Sequence, residues 1–172
     1  MNKARMCMTM KKTFITLVLL MVWAGSVHAH SDIASLPPAV AALSYKQVLY
    51  MNPDDVAARN GLAMAYVRLN KLQDAQKEFA YVLKKDANNF DALDGYGVLL
   101  MRAGKPKDAL QYFRKAASIN GRDVMVYVHL SAAFDKLKER DKAQAALKKA
   151  QSLASPDELK KIEAERSFLY GR

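Results

Sequence analysis

Histidine is the side chain most often used for acid–base chemistry or metal binding near neutral pH. This chain of 172 residues has three, His28, His30 and His129. None lies in a recognised catalytic spacing, because the sequence has no His-Glu-x-x-His motif, no glycine-rich phosphate loop and no Ser/His/Asp set in a familiar context. We therefore expect no enzyme, no cofactor and no small-molecule substrate, and keep an enzyme only as an alternative.

A copper site at the amino terminus is a further alternative. If the chain is cleaved after Ala29, His30 becomes the first residue, and its free amine and imidazole together could chelate copper. Metal sites of this kind usually recruit more ligands than that. Only one other histidine, His129, would remain in the cleaved chain, so we expect no metal site.

The first 29 residues have the three-part layout of a secretory signal peptide. Four basic residues precede an apolar run at 14–24, and residues 27–29 offer a cleavage site after Ala29. The run is shorter than the roughly 20 apolar residues that a membrane-spanning helix needs. We therefore expect cleavage and export across the inner membrane to the periplasm. A retained anchor, with the membrane contact that it implies, stays open as an alternative.

Removal of this segment changes the bulk properties of the chain. The segment holds four basic residues and no acidic one, so the formal net charge falls from +10 to +6. The remaining charge is spread over helix faces without a cluster of base-stacking aromatics, which argues against a nucleic-acid partner. The single cysteine, Cys7, is lost with the segment. The exported chain can therefore form neither a disulfide nor a thiolate metal site.

A 34-residue period organises the rest of the chain. A fixed period of this length is typical of stacked helical or β arrays. An alanine recurs, a large apolar residue follows it by four positions, and a large-small pair lies earlier in each full unit. The alanines are Ala41, Ala75, Ala109 and Ala143; the large residues are Tyr45, Phe79, Phe113 and Leu147; the pairs are Leu62-Ala63, Tyr96-Gly97 and Leu130-Ser131.

These columns resemble the tetratricopeptide repeat (TPR), whose signature is a large-small pair, an aromatic three residues later and then Ala-x-x-x-Phe. The resemblance implies an all-α, right-handed α-solenoid of helix-turn-helix repeats. It also implies a concave surface that binds other proteins. The chain departs from the family pattern where a tryptophan and a proline are usual: the first column holds Arg59, Leu93 and Tyr127, and the second holds Ala87, Gly121 and Ser155.

The period predicts one TPR domain over 39–172. Asn70, Gly104 and Pro106 mark the turns inside the hairpins, and small residues let paired helices approach closely. The predicted segments are a signal peptide at 1–29, a flexible leader at 30–38, an amino-terminal half repeat at 39–55, full repeats at 56–89, 90–123 and 124–157, and a capping helix at 156–170.

The last helix has a specific start signal. Ser155 is a good helix cap, Pro156 suits the first turn, and Glu158 completes a capping box. We expect its apolar side to cover the end of the array and its charged side to face water. The expected inner side carries Leu159, Ile162, Arg166 and Leu169; the expected outer side carries Lys160, Lys161, Glu163 and Glu165. A partner-binding role for residues 168–170 stays open.

The concave face is the expected binding surface, because the first helix of each repeat lines it. Its methionines would adapt to varied ligands, and three basic residues would form a ladder at the repeat period, unless they are ordinary solvated charges. The expected partner-binding residues are Asn60, Met64, Val67, Arg68, Asp94, Val98, Met101, Arg102, Met125, Val128, Ala132, Asp135 and Lys136. The Lys and Asn clamp that some family members use for chaperone carboxylates is absent, since the matching positions hold Asn60, Met64, Gly95, Met125 and His129.

Together these features predict a non-enzymatic adaptor in the bacterial cell envelope that binds a peptide or helix of another protein. Fold analogy suggests pilus or secretion-system assembly as its setting. A chaperone for an unfolded client such as an apocytochrome would use the same groove and stays open. The sequence makes no prediction of the oligomeric state.

Overall fold

The computed structural model describes residues 33–170, which form helices and connecting turns without any strand. This confirms the prediction of an all-α fold. The helices are α1 (Pro38–Met51), α2 (Val56–Arg68), α3 (Leu72–Lys85), α4 (Phe90–Arg102), α5 (Pro106–Ile119), α6 (Val124–Lys136), α7 (Arg140–Leu153) and α8 (Pro156–Tyr170).

Three helical hairpins repeat along the chain. The first helices α2, α4 and α6 begin at residues 56, 90 and 124, and each packs against the second helix of its own hairpin, α3, α5 or α7. Second helices also pack against the first helix of the next hairpin. Helix α1 occupies the place of a second helix, because its bounds fall 34 residues before those of α3 and it packs against α2.

The same cap starts each first helix. Asp55, Asn89 and Asp123 stand 34 residues apart, and each side-chain oxygen accepts a hydrogen bond from the backbone N–H three residues later, at 2.8, 3.0 and 3.0 Å. Such a cap satisfies one of the amides that a helix start leaves unpaired and typically contributes about 1 kcal/mol. The repeat period is therefore written into the polar boundaries of the helices as well as into the core.

The turn inside each hairpin is also repeated. Asn70, Gly104 and Lys138 have φ values of 58°, 73° and 64°, in the left-handed region. The following amides of Lys71, Lys105 and Glu139 close the turn by donating to carbonyls five residues earlier. The sequence predicted the first two turns from Asn70 and Gly104. It gave no such signal for the third, where a lysine adopts a backbone conformation that favours glycine or asparagine.

Aromatic rings of one hairpin lie against the backbone of the next. A Cβ atom added to Gly61 would come within 2.3 Å of the Tyr45 ring, and one added to Gly95 within 2.4 Å of the Phe79 ring. Tyr45 and Phe79 are almost fully buried. These two glycines are therefore required by packing, since any larger residue would push the ring and its helix outward.

The amino-terminal end is anchored to the array within the described residues. Ile33 packs against the core, and its carbonyl accepts a hydrogen bond of 3.1 Å from the Leu36 amide. Part of the segment expected to be a flexible leader thus forms a turn that contacts the array. The predicted signal peptide and His30 lie outside the described residues. Within residues 33–170, none of the helices has the length and apolar character needed to cross a bilayer.

The turn geometry predicts opposite effects for two exchanges at equivalent positions. Lys138→Gly should raise the free energy of unfolding by about 0.5–1 kcal/mol, because it removes the cost of a left-handed lysine. Gly104→Ala should lower it by about 1 kcal/mol, although a Cβ there would meet no atom within 4 Å. Urea denaturation of both variants measures this. A destabilised Lys138→Gly variant would contradict the backbone argument.

Candidate functional site

Helix α8 lies across the first helices of the array. It packs against α6 and α4, the helices of the predicted concave face. A cap that simply continued the stack would pack chiefly against α7, as α6 does against α5. The predicted capping box is confirmed, since the Ser155 amide donates to Glu158 at 2.9 Å and the Glu158 amide donates to the Ser155 hydroxyl at 3.4 Å. After this start, the chain turns back over its own groove.

The side that α8 presents to the groove differs in part from the expected one. Ile162 and Leu169 are buried, as predicted, but Leu159 is 46% exposed. Glu165, expected on the outer face, points inward to His129. The physical reason is that α8 rests on a groove containing a buried histidine and basic residues, so a carboxylate is stabilised where a wholly apolar surface would have excluded it.

A buried ion cluster joins three helices at this contact. His129 of α6 lies with Nδ1 2.7 Å from Asp94 Oδ1 of α4 and with Nε2 3.4 Å from Glu165 Oε1 of α8. The His129 side chain is 5% exposed, and those of Asp94 and Glu165 are 15% and 22% exposed. A doubly protonated imidazole can donate to both carboxylates at once. The cluster therefore ties α8 to the array.

The pKa values in the cluster shift in the directions that this pairing requires. Burial alone would lower the pKa of His129, but the charges and hydrogen bonds of Asp94 and Glu165 outweigh it and raise the pKa to about 10. Burial tends to raise the pKa of Glu165, but the hydrogen bond and charge of His129 outweigh it, so that this pKa is lowered. At neutral pH, His129 is therefore a cation and Glu165 an anion.

The predicted basic ladder contacts aromatic rings of α8. The guanidinium carbons of Arg68 and Arg102 lie 5.5 and 5.1 Å from the centre of the Phe168 ring. Arg102 also donates a hydrogen bond of 3.0 Å to the Phe168 carbonyl. Lys136 lies 5.1 Å from the centre of the Tyr170 ring. A cation over an aromatic face is worth roughly 0.5–1 kcal/mol when exposed and more when desolvated.

The amino-terminal part of the groove is open. A cleft there is lined by Ala34, Leu36, Met64 and Arg68, together with residues of α1. A second cleft opens beside α8, between Arg68, Met125 and Phe168. Both clefts combine apolar walls with Arg68, whose side chain is exposed. The first helices thus offer one surface covered by α8 and one uncovered surface next to it.

The thirteen predicted partner-binding residues fall into three groups. Many are inaccessible because the first helices pack closely against one another and α8 lies over two of them. Buried are Asn60, Val67, Val98, Met101, Val128 and Ala132; partly exposed are Met64, Asp94, Arg102 and Met125; exposed are Arg68, Asp135 and Lys136. Asp135 also accepts a hydrogen bond of 2.7 Å from the Tyr170 hydroxyl.

Three important residues were absent from the predicted set: His129, Glu165 and Phe168. One signal was present for His129, because its column holds Gly61 and Gly95 in the preceding repeats. A large polar residue in a column of glycines indicates a local change in packing. In the structure its ring lies 5.2 Å from that of Phe113, the aromatic residue that follows Tyr45 and Phe79 in the period. Sequence alone gave no reason to place Glu165 opposite it.

Comparison with known families agrees with this geometry. Models described as tetratricopeptide repeat match residues 28–75 and 62–123, and another with the same description matches residues 126–157. The chain belongs to the tetratricopeptide repeat family. The TPR fold is a protein–protein interaction scaffold, and TPR proteins are generally non-enzymatic adaptors.

Relatives of the chain share the fold at low identity. Tetratricopeptide repeat protein 8 of Caenorhabditis elegans is 22% identical over 120 residues, covering 70% of this chain, and the chain spans 24% of that protein. A thermophilic TPR protein of Thermus thermophilus has a TM-score of 0.65 at 24% identity, with 78% of this chain and 75% of that chain covered. A crystal structure of MamA has a TM-score of 0.57 at 22% identity, with 73% and 71% covered.

The described residues contain no group of three or more His, Cys, Asp or Glu side chains arranged to hold a metal ion. In the cluster around His129, both ring nitrogens instead face carboxylates. The inward-facing polar groups therefore make an ion cluster between helices, and the surface they stabilise is a seat for a helix.

The cluster predicts a pH dependence of stability. Because the pKa of His129 is higher in the folded than in the unfolded chain, its contribution is complete below about pH 6.5 and is lost as the pH rises towards 10. The free energy of unfolding should therefore fall above pH 6.5, by up to about 1.4 kcal/mol per pH unit. His129→Gln should remove most of this slope. Urea denaturation between pH 6 and 9 tests both proteins, and an equal slope in the variant would exclude His129 as the source.

Proposed function

We propose that this protein is a non-enzymatic adaptor of the bacterial cell envelope that binds an amphipathic helix of a partner protein in the groove formed by α2, α4 and α6. The observation that carries the proposal is that α8, itself a helix, fills the part of this groove over α4 and α6. In the free protein, α8 then acts as an occupant that a partner helix replaces.

The contacts of α8 define the chemistry of such a partner. An aromatic residue would lie between Arg68 and Arg102, as Phe168 does. A carboxylate three residues earlier would meet His129, as Glu165 does. Apolar residues would replace Ile162 and Leu169, which are buried. The partner is therefore a helix with an acidic residue, an aromatic residue and aliphatic residues on one side.

Replacement of α8 lowers the apparent affinity of the groove. An occupant tethered in the same chain acts at an effective concentration in the millimolar range for a short linker. The dissociation constant of a partner is raised by the inverse of the fraction of molecules with an open groove. The uncovered cleft around Met64 and Arg68 offers a first contact that does not require α8 to leave. A partner that engages this cleft first would displace α8 from its end.

A peptide in trans tests the groove directly. The probe is a fluorescent peptide with the sequence of residues 156–170, added to full-length protein in which Leu169→Asp weakens docking of α8. Leu169 is 3% exposed, so an aspartate there loses its burial. The variant should bind the peptide in a fluorescence anisotropy titration, and the wild type should bind at least tenfold more weakly. A peptide carrying Phe168→Ala should bind the variant about tenfold more weakly than the unchanged peptide, a loss of about 1.4 kcal/mol.

The matched control is Leu159→Asp, the same chemical change on the same helix at a position that is 46% exposed. It should leave α8 docked and the peptide unbound. Circular dichroism should show native helix content in α1 to α7 for both variants. If Leu169→Asp remains folded and does not bind the peptide, α8 is a structural cap and the groove is not a helix-binding site.

Location in the envelope rests on residues 1–29, and we propose that they direct export. Amino-terminal sequencing of the native protein should then begin at His30. A sequence beginning at Met1 would instead support retention of the segment. Crosslinking mass spectrometry on intact cells should separate the two proposed settings, because pilus or secretion-system components would appear in one case and apocytochromes in the other.

A further inference from the structure

The outer side of α1 carries an apolar stripe that nothing in the described part of the chain covers. Five of the most exposed large apolar side chains in the described residues lie here. They are Leu36, 39% exposed, Val40, 47%, Leu43, 70%, Tyr50, 85%, and Met51, 79%. Positions 40, 43, 47, 50 and 51 lie along one side of a helix at 3.6 residues per turn. We call these five side chains and Gln47 the α1 stripe.

The repeat period shows that this stripe is specific to α1. In α3 the positions of Val40, Leu43, Tyr50 and Met51 hold Asp74, Lys77, Lys84 and Lys85. In α5 they hold Asp108, Gln111, Ser118 and Ile119. Of these eight residues, Asp74 is partly exposed and the other seven are exposed, although each helix is paired with its own first helix. A first helix supplied by residues upstream of α1 would therefore leave the stripe uncovered.

The stripe also lacks charge. Helix α1 has a single charged residue in 14, Lys46, whereas α3, α5 and α7 each have four or five. The ammonium of Lys46 lies 5.6 Å from the centre of the Tyr66 ring on α2, turned towards the array. An exposed apolar surface of this kind marks an interaction site. On a chain with net positive charge, it is a place where two copies can meet without like charges facing each other.

We infer that the α1 stripe is a self-association surface, on which a second copy of this chain packs its own α1 antiparallel about a two-fold axis. The stripe runs from residue 40 to residue 51, so an antiparallel pair places Val40 opposite Met51 of the second copy. Leu43 then faces Gln47 near the axis. The two Gln47 amides carry both a donor and an acceptor, so they can satisfy each other across the axis. Such an interface is isologous and closes at two copies.

The size of the stripe fits a reversible dimer. Its exposed apolar parts amount to roughly 600 Å² per copy, so a symmetric pair buries on the order of 1,200 Å², the lower end for specific interfaces. A lipid surface fits less well, because helices that lie in the membrane interface carry Lys and Arg along their polar side. Lys46 is the only basic residue of α1. The observations therefore favour a second copy over a bilayer.

Sedimentation velocity of the full chain, purified after export, tests this inference at protein concentrations from about 1 to about 200 μM. The wild type should show a reversible monomer–dimer equilibrium. Leu43→Lys and Tyr50→Lys introduce the residues found at the equivalent positions 77 and 84 and should weaken the dimer at least tenfold. The matched control is Ile119→Lys, which changes a residue that is 45% exposed in the column of Met51 but on α5. It should leave the dimer unchanged.

A single engineered cysteine reports the symmetry. In a Cys7→Ser background, which removes the only native cysteine, Gln47→Cys should be crosslinked to itself by a short bis-maleimide, and Lys77→Cys should not. A wild type that remains monomeric, or a dimer that persists in both lysine variants, would overturn the inference. A monomer that sediments with anionic phospholipid vesicles through the stripe would also overturn it and would assign the stripe to a membrane surface.

Discussion

The array depends on close contact between an aromatic ring of one hairpin and the backbone of the next. Tyr45 and Phe79 lie so near Gly61 and Gly95 that a single added carbon would overlap with the rings. A lone hairpin cannot bury its apolar side, so repeat arrays take their stability from such neighbour contacts. The distance between hairpins, and hence the spacing of the first helices that form the groove, follows from this contact.

The third hairpin uses a different solution at the same position. Phe113 meets the ring of His129, where the earlier rings meet glycine. The imidazole brings a positive charge into the first-helix layer, and that charge is paired with Asp94 on one side and Glu165 on the other. Replacing a glycine by a histidine therefore changes an apolar contact into an anchor for α8. Removing one member of a buried ion cluster leaves the others uncompensated, which is strongly destabilising.

Sequence reasoning predicted the fold because the repeat is written locally and redundantly. The alanine column, the capping residues and the turn at Gly104 each give the same 34-residue period, and any one of them can be read without knowing the others. The course of α8 could not be read in this way. Its capping box fixed where the helix begins, but the side it buries was determined by His129 and Arg102, which lie 36 and 66 residues from their partners on α8. Long-range polar pairing of this kind leaves no period in the sequence.

The position of α8 also couples the number of repeats to the state of the groove. Phe168 is held by Arg68 and Arg102 from the first two hairpins, and Glu165 and Tyr170 are held by His129 and Asp135 from the third. Repeat arrays ordinarily lengthen or shorten by whole units, because each unit contacts only its neighbours. Here one helix bridges all three. Duplication or loss of a single unit would move one set of its partners by a full repeat, so in evolution the array can change length only if α8 is rebuilt with it.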